Sequence, residues 1–233
     1  SSGMLSEGKV VAKFEEEFGR TFGHRKLSAA AVNSGTSALH LALATTGLKG
    51  KVLLPANTFV ATGLAILYAG CTPVFCDILP DGTIDPEDAA KKIDMETVAL
   101  IAVNWAGKDC AIEELTALCQ KNGLISIIDA AQSLGCRNGG DFICYSFQAT
   151  KHLTTGDGGM LVCNNGGEET AKRLRWFGIS KDTKTTVLGE RNYLLEHVGF
   201  KYHMNDFSAA LGLANRNGIK DRLEYYKTLA NIY

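Results

Sequence analysis

Three stretches of this sequence place reactive and anion-binding residue types close together. In Ser146-Phe147-Gln148-Ala149-Thr150-Lys151-His152-Leu153-Thr154-Thr155-Gly156-Asp157-Gly158-Gly159, a lysine lies between an apolar strand-like run and a Gly-rich turn. Most lysines are solvated surface charges. One held near a sheet edge, with its amine partly desolvated and lowered in pKa, can instead attack a carbonyl carbon and form a Schiff base. In Ile127-Ile128-Asp129-Ala130-Ala131-Gln132, an acid ends a buried strand-like run and an amide follows three positions later. Asp129 either N-caps a following helix or serves as the anionic partner of a buried cationic ring nitrogen. In the second case Gln132, one helical turn on, donates to an oxygen of the same ring. In Ala31-Val32-Asn33-Ser34-Gly35-Thr36-Ser37-Ala38-Leu39-His40, hydroxyl residues and one glycine lead into a run of strong helix formers. Ser34 or Thr36 serves there as a simple N-cap, or the free N–H groups and hydroxyls at the helix start hold a phosphate.

These residues can meet only if strands and helices alternate so as to carry them to one edge of a sheet, and the sequence has that pattern. Val10, Val11, Phe14 and Phe18 fall at helical spacing among acids, which predicts an amphipathic helix over 7–18. Short strands are expected over 51–54 and 73–76, around a helix over 59–69 that Gly70 stops. A strand over 98–103, a helix over 112–121 ended by Asn122-Gly123, and a strand over 124–128 continue the alternation. Strands over 142–147 and 160–163 precede a helix over 168–176. From Asn205 the pattern is wholly helical, the last helix running from Ile219 to Tyr233. Successive βα units predict an α/β fold, a mostly parallel sheet sandwiched by helices, with the ligand at the carboxyl ends of the strands.

The 233 residues carry 24 Lys+Arg against 25 Asp+Glu, a balance that argues against nucleic acid or an anionic membrane as the main partner. With 45% hydrophobic and 21% charged residues the chain has the material for a buried core and not the composition of a disordered one. Apolar runs such as 61–69 break well short of a bilayer span, so no transmembrane helix is expected. The seven cysteines are odd in number, scattered and without a CxxC. They read as buried thiols of a reducing cytosol, with no metal site. Ser1 to Leu5 lack the charged and apolar regions of a signal peptide, and a cytoplasmic protein is expected.

NSGTSALHLAL (33–43), PANTFVAT (55–62), DAAQSLG (129–135) and SFQATKHLTTGDGG (146–159), in this order, resemble the DegT/DnrJ/EryC1/StrS family. Its members are sugar aminotransferases of the aspartate aminotransferase fold, which use pyridoxal 5'-phosphate (PLP). The resemblance runs from about Glu7 to the end of the chain. It implies that Lys151 is the Schiff-base lysine and general acid/base, that Asp129 pairs with the pyridine nitrogen and that Gln132 contacts the ring hydroxyl. It further implies that Ser146, Gly35 and Thr36 hold the phosphate and that Phe59 stacks on the ring. PLP is an electron sink only while its ring nitrogen is protonated, a form that a buried carboxylate favours, and aromatic stacking orients the ring. Read from the residues alone, Phe59 is equally a core residue of its helix and Ser146 a locally bonded strand-end hydroxyl. The implied reaction moves an amino group, with glutamate as donor, to a keto group of a nucleotide-linked sugar. The implied assembly is a homodimer whose site is completed across the subunit interface.

Some positions depart from the family pattern. Gly199-Phe200-Lys201-Tyr202-His203-Met204 resembles the GxNxRM element that reaches the phosphate of the neighbouring subunit's cofactor, with Lys201 and His203 where Asn and Arg are common. Lysine still binds phosphate as a point charge, so Lys201 is kept as a cofactor-binding candidate. The connections over 48–51 and 135–141 are shorter than the family implies, and Asn104 stands where a His is usual. The resemblance divides the chain into a helical segment over 1–20, a PLP-binding large domain over 21–204, and helices over 205–233 leading to a C-terminal small domain that the sequence lacks. Three rival readings remain. A PLP-dependent sugar dehydratase replaces the lysine by His; Lys151 speaks against it, although His152 stands alongside. A PLP-binding regulatory or truncated protein has the site without turnover. A nicotinamide-dependent doubly wound enzyme would need a GxGxxG after its first strand, and none is present.

Overall fold

The computed structural model describes residues 5–24, 28–179, 185–187, 190–192, 195 and 197–232. Its main sheet has seven strands: β1 (Ala29–Val32), β2 (Lys51–Pro55), β3 (Thr72–Cys76), β4 (Thr97–Val103), β5 (Ile125–Asp129), β6 (Phe142–Ser146) and β7 (Gly159–Cys163). Their spatial order is β1-β7-β6-β5-β4-β2-β3. All neighbours from β3 to β6 are parallel, and β7 runs antiparallel to both β6 and β1. The expected α/β fold with a mostly parallel sheet is therefore present.

Helices cover both faces. On one face lie α1 (Lys9–Phe22), α4 (Pro86–Lys92), α5 (Ile112–Asn122), α7 (Asp206–Arg216) and α8 (Ile219–Ala230); on the other lie α2 (Gly35–Thr46), α3 (Val60–Tyr68) and α6 (Glu168–Leu174). Alternate strand residues feed the two apolar layers, Leu100, Ala102 and Ile128 toward the first and Ala99, Ile101 and Ile127 toward the second. In α1, Phe14 and Phe18 are fully buried and pack edge-on against Phe147 at 5.5 Å. Each such burial contributes roughly 1.5–3 kcal/mol and fixes the residue that begins the Lys151 turn. Among the described residues no helix is long and apolar enough to cross a membrane. All seven cysteines are free thiols, and all but Cys136 are buried.

The structure differs from the periodicity reading where local signals were weak. β1 is Ala-Ala-Ala-Val, a poor strand former; its ladder partner is β7, and Val32 adds a single antiparallel bridge to His203. Its outer edge is closed by side chains: the Ala31 N–H donates to Glu15 Oε1 (2.8 Å) and the Ala31 carbonyl accepts from Arg175 Nη1 (2.9 Å). The last helix begins at Ile219 as expected, set off from α7 by Asn217-Gly218, where Gly218 has φ 69°, and it ends at Ala230. α6 ends at Leu174, two residues early, because Trp176 forms a β-bridge with Lys201. α4 and a two-stranded ribbon, β8 (Thr185–Val187) with β9 (Glu190–Asn192), were not foreseen.

Candidate active site

Asp129 is the last residue of β5, in register with Val103 on β4 and Cys144 on β6. It is 5% exposed. Its Oδ2 accepts from Thr62 Oγ1 at 2.8 Å and its Oδ1 from the Ala131 N–H at 3.1 Å. No helix follows it, since the chain turns at Ala131-Gln132, so the helix-cap alternative does not apply. Burial pushes its carboxyl up, while the two hydrogen bonds and the nearby Lys151 ammonium pull it down.

Lys151 lies on the turn that leaves β6. The strand delivers Ser146 and the buried Phe147, whose N–H donates to the Gly158 carbonyl (2.8 Å) and whose carbonyl accepts from the Thr155 N–H (3.0 Å). Inside this loop the Lys151 N–H donates to the Gln148 carbonyl (2.9 Å). From outside, Asn215 Nδ2 donates to the Thr154 carbonyl (3.0 Å) and Arg222 Nη1 to the His152 carbonyl (3.2 Å), so α7 and α8 clamp the lysine turn. Two adjacent side chains diverge: Lys151 lines the central cavity, whereas the His152 ring packs edge-on against Tyr226 at 4.8 Å.

The start of α2 faces Ser146. Ser34 is its N-cap, its Oγ accepting from the Ser37 N–H at 3.0 Å, and the Ala38 N–H returns to the Ser34 carbonyl at 3.1 Å. That leaves the N–H groups of Gly35 and Thr36, the first two helical positions, without intrahelical partners. A Cβ at Gly35 would lie 2.9 Å from Ser146 Cβ and 3.3 Å from Ser146 Cα, so glycine is what lets the helix start approach the strand end. The result is a concavity edged by two N–H donors and the Ser146 hydroxyl. Ser34 is thus both a cap and a wall of the cavity.

Gln132 accepts the Ala106 N–H through Oε1 at 2.8 Å. Ala106 has φ 53°, an unusual conformation for a residue with a Cβ, and it turns that N–H toward Gln132. With its oxygen so committed, what Gln132 offers a ligand is its NH2 group. Phe59 is 67% exposed and lines the cavity, which overturns the alternative that it is a core residue.

Asp129, Gln132, Lys151, Ser146, Gly35, Thr36 and Phe59 all line one cavity of about 490 Å³, set at the carboxyl ends of β4, β5 and β6. Lys201 does not line it. Its Nζ sits 3.9 Å above the Trp176 ring and its carbonyl accepts from Asn33 Nδ2 at 3.1 Å. Asn104 is fully buried, donating to Ser133 Oγ (2.9 Å) and accepting from the Cys110 N–H (3.0 Å); it braces the loops after β4 and β5. Thr62 and Thr58 received no role from the sequence, although their four-residue spacing at a helix start puts both hydroxyls on one face.

A model of the DegT/DnrJ/EryC1/StrS aminotransferase family matches residues 1–233. The chain belongs to that family. It is 35% identical over 247 residues to the spore coat polysaccharide biosynthesis protein SpsC of Bacillus subtilis, covering 100% of this chain and 62% of the relative. It is 33% identical over 244 residues to the GDP-perosamine synthase of Vibrio cholerae, covering 100% and 64%. Among solved structures, the sugar aminotransferase CalS13 of Micromonospora echinospora superposes with a TM-score of 0.86 at 29% identity, over 95% of this chain and 63% of that one. The chain thus spans under two thirds of the length of these relatives.

Proposed function

We propose that this chain forms the PLP site of an aminotransferase that moves an amino group, with glutamate as donor, onto a keto group of a nucleotide-linked sugar. One observation carries the reading: Lys151, Asp129, Gln132, Ser146 and the start of α2 share a single cavity. The residues fit the cofactor. Gly35 keeps open a cradle that a Cβ would fill, and Asp129 is a buried acceptor suited to a cationic ring nitrogen. When bound, PLP supplies an electron sink for the electrons of a carbon–hydrogen bond beside the amine. Asp129 holds the ring nitrogen protonated, because a buried carboxylate gains most from a cationic partner. Ser146 Oγ and the N–H groups of Gly35 and Thr36 bind the phosphate, Gln132 donates to the ring hydroxyl, and Phe59 covers the ring. Lys151 Nζ would anchor the cofactor, and the same amine would take the proton from the reacting carbon and return it.

The name of the Vibrio cholerae relative supports a nucleotide-linked sugar as acceptor. The position of Lys151 in the cavity, with His152 turned to α8, supports amino transfer over dehydration. The proposal includes a cytoplasmic homodimer in which Lys201 or His203 of one copy reaches the phosphate held by the other; Lys201 is exposed and lies outside its own chain's cavity, as that role requires. The experiment is reconstitution with PLP. A visible absorbance band that glutamate abolishes, and borohydride reduction that fixes the cofactor mass on the Lys151 peptide, are expected. No band, or the mass on another lysine, overturns the reading.

A further inference from the structure

Thr62, on the first turn of α3, is fully buried, and its Oγ1 lies 2.8 Å from Asp129 Oδ2 and 2.7 Å from Thr58 Oγ1. Thr58 lines the cavity. Each hydroxyl has one proton to give, and that fixes the direction of the chain. With Asp129 ionised, the carboxylate only accepts, so Thr62 donates to it and receives the proton of Thr58. With Asp129 protonated at Oδ2 every bond reverses, and the Thr58 proton must go to the Phe59 carbonyl, 3.4 Å away, or to whatever fills the cavity. A 3.4 Å contact is at the weak end of hydrogen bonding. The Ala131 N–H on Oδ1 also favours the anion, because a carboxylate oxygen is a stronger acceptor than the carbonyl oxygen of the acid.

We propose that Thr62, oriented by Thr58, is a positioning residue that holds Asp129 in its anionic form and fixes the plane of its carboxylate toward a cationic ring nitrogen in the cavity. The ligand side of this inference rests on the PLP reading; the Asp129 side does not. The titratable groups facing Asp129 are Lys151 from the cavity wall and Cys144 from β6, with Asp157 lining the same cavity. β4 contributes only Val103, and α3 only hydroxyls.

The test is a titration of the Asp side-chain carboxyl carbons by NMR in cofactor-free protein labelled with 13C-aspartate, with the Asp129 signal assigned by its loss in Asp129→Asn. Thr62→Val removes the donor at nearly constant volume and is expected to raise the Asp129 midpoint by about one pH unit. Thr62→Ser restores the hydroxyl and the wild-type midpoint. Thr58→Val raises the midpoint less, and adds nothing in the Thr62→Val background, because it acts through Thr62. The PLP-binding curve of Thr62→Val at neutral pH shifts several-fold toward weaker binding, with rescue by Thr62→Ser. An unchanged midpoint in Thr62→Val overturns the inference, as does a Thr62→Ser protein that behaves like Thr62→Val. Should Thr62→Val fail to fold, Thr58→Val at the cavity wall decides alone: a raised midpoint supports the chain and an unchanged one refutes it. Failure of PLP to bind any variant overturns the functional reading while the apo titration still judges Thr62.

Discussion

Replacing Gly35 by alanine tests whether the close approach of α2 to β6 is what forms the phosphate cradle. The added Cβ would lie 2.9 Å from Ser146 Cβ and 3.3 Å from both Ser146 Cα and Oγ. Carbon atoms prefer separations of about 3.5–4.0 Å, so the contacts are short by several tenths of an ångström. Ser146 cannot yield, because it ends a central strand and is paired with Gly159 of β7. The start of α2 must move instead, at an overpacking penalty of about 1–3 kcal/mol. Alanine returns at most about 1 kcal/mol in helix propensity. With that return the net loss is about 0–2 kcal/mol, a fall in Tm of at most roughly 8 °C for a domain of this size. The larger effect is on binding. Shifting the Gly35 and Thr36 N–H groups weakens at least one hydrogen bond to a charged group, about 1.5–3 kcal/mol or roughly 10–150-fold in PLP affinity. Thermal unfolding of the cofactor-free protein and a PLP titration followed by absorbance measure the two effects separately. Gly47→Ala is the control. Gly47 caps the other end of α2 at φ 66° with nothing within 4 Å of a new Cβ, so it should lower Tm without changing PLP affinity. A Gly35→Ala protein with wild-type affinity would refute the cradle.

Three further outcomes follow from the same structure. Lys151→Ala should leave stability within about 0.5 kcal/mol, since the residue lines a cavity and packs little, but should abolish borohydride trapping of PLP; retained trapping reassigns the lysine. Asp129→Asn should keep the Ala131 N–H bond and the fold, bind some PLP, and lose amino transfer about a hundredfold, two pKa units of ring-nitrogen support at about 1.4 kcal/mol each; near wild-type turnover would contradict it. His24, half-buried beside Phe18 and bonded to the Tyr145 hydroxyl at 3.2 Å, has its imidazole lowered to about 4 by desolvation. The native state therefore binds fewer protons than the unfolded chain between about pH 6.5 and 4 and loses roughly 1 kcal/mol of stability per pH unit as pH falls through that window. Urea unfolding of wild type against His24→Gln across this range should show the steeper slope in the former, since His40 and His152, also lowered by burial, keep part of it in both.

Much of the site was legible because its residues sit where strands end. An acid after Ile127-Ile128 and a serine after Phe142 to Tyr145 are local facts of sequence, and parallel pairing brings the ends of β5 and β6 together without further information. What was not legible depends on partners far along the chain. Thr62 meets Asp129 across 67 positions, and no local property of PANTFVAT distinguishes it from Thr58. Asn104 stands out in the sequence only as a departure from the family's usual His, and its bracing role was hidden because its hydrogen bonds go to Ser133, Asp109 and Cys110. β1 was hidden for a similar reason: three alanines become a strand only because β7 pairs on one side and Glu15 with Arg175 on the other. α4 did carry a signal, Asp85-Pro86, where the Asp85 carboxylate accepts the Glu87 N–H at 2.9 Å and Pro86 occupies the first turn.

Asp129 and Lys151 are held in different ways, and the difference matches what the role proposed for each requires. A carboxylate that sustains a protonated ring should not move, and Asp129 is locked in β5 between two parallel neighbours, with both oxygens bonded. An amine that anchors a cofactor and later carries a proton needs a fixed base and a movable tip. Lys151 has that arrangement: its loop is pinned at Phe147, Thr154 and His152 by the core, Asn215 and Arg222, while its own side chain, partly exposed, extends into the cavity on four rotatable bonds. Arg222 also donates to the carbonyls of Asn215 and Asn217, so the same guanidinium that holds the lysine loop ties the end of α7 to α8. The helices after Asn205 are therefore part of the structure that sets the position of the Lys151 loop, and a change at their junction would reach Lys151 without touching the cavity.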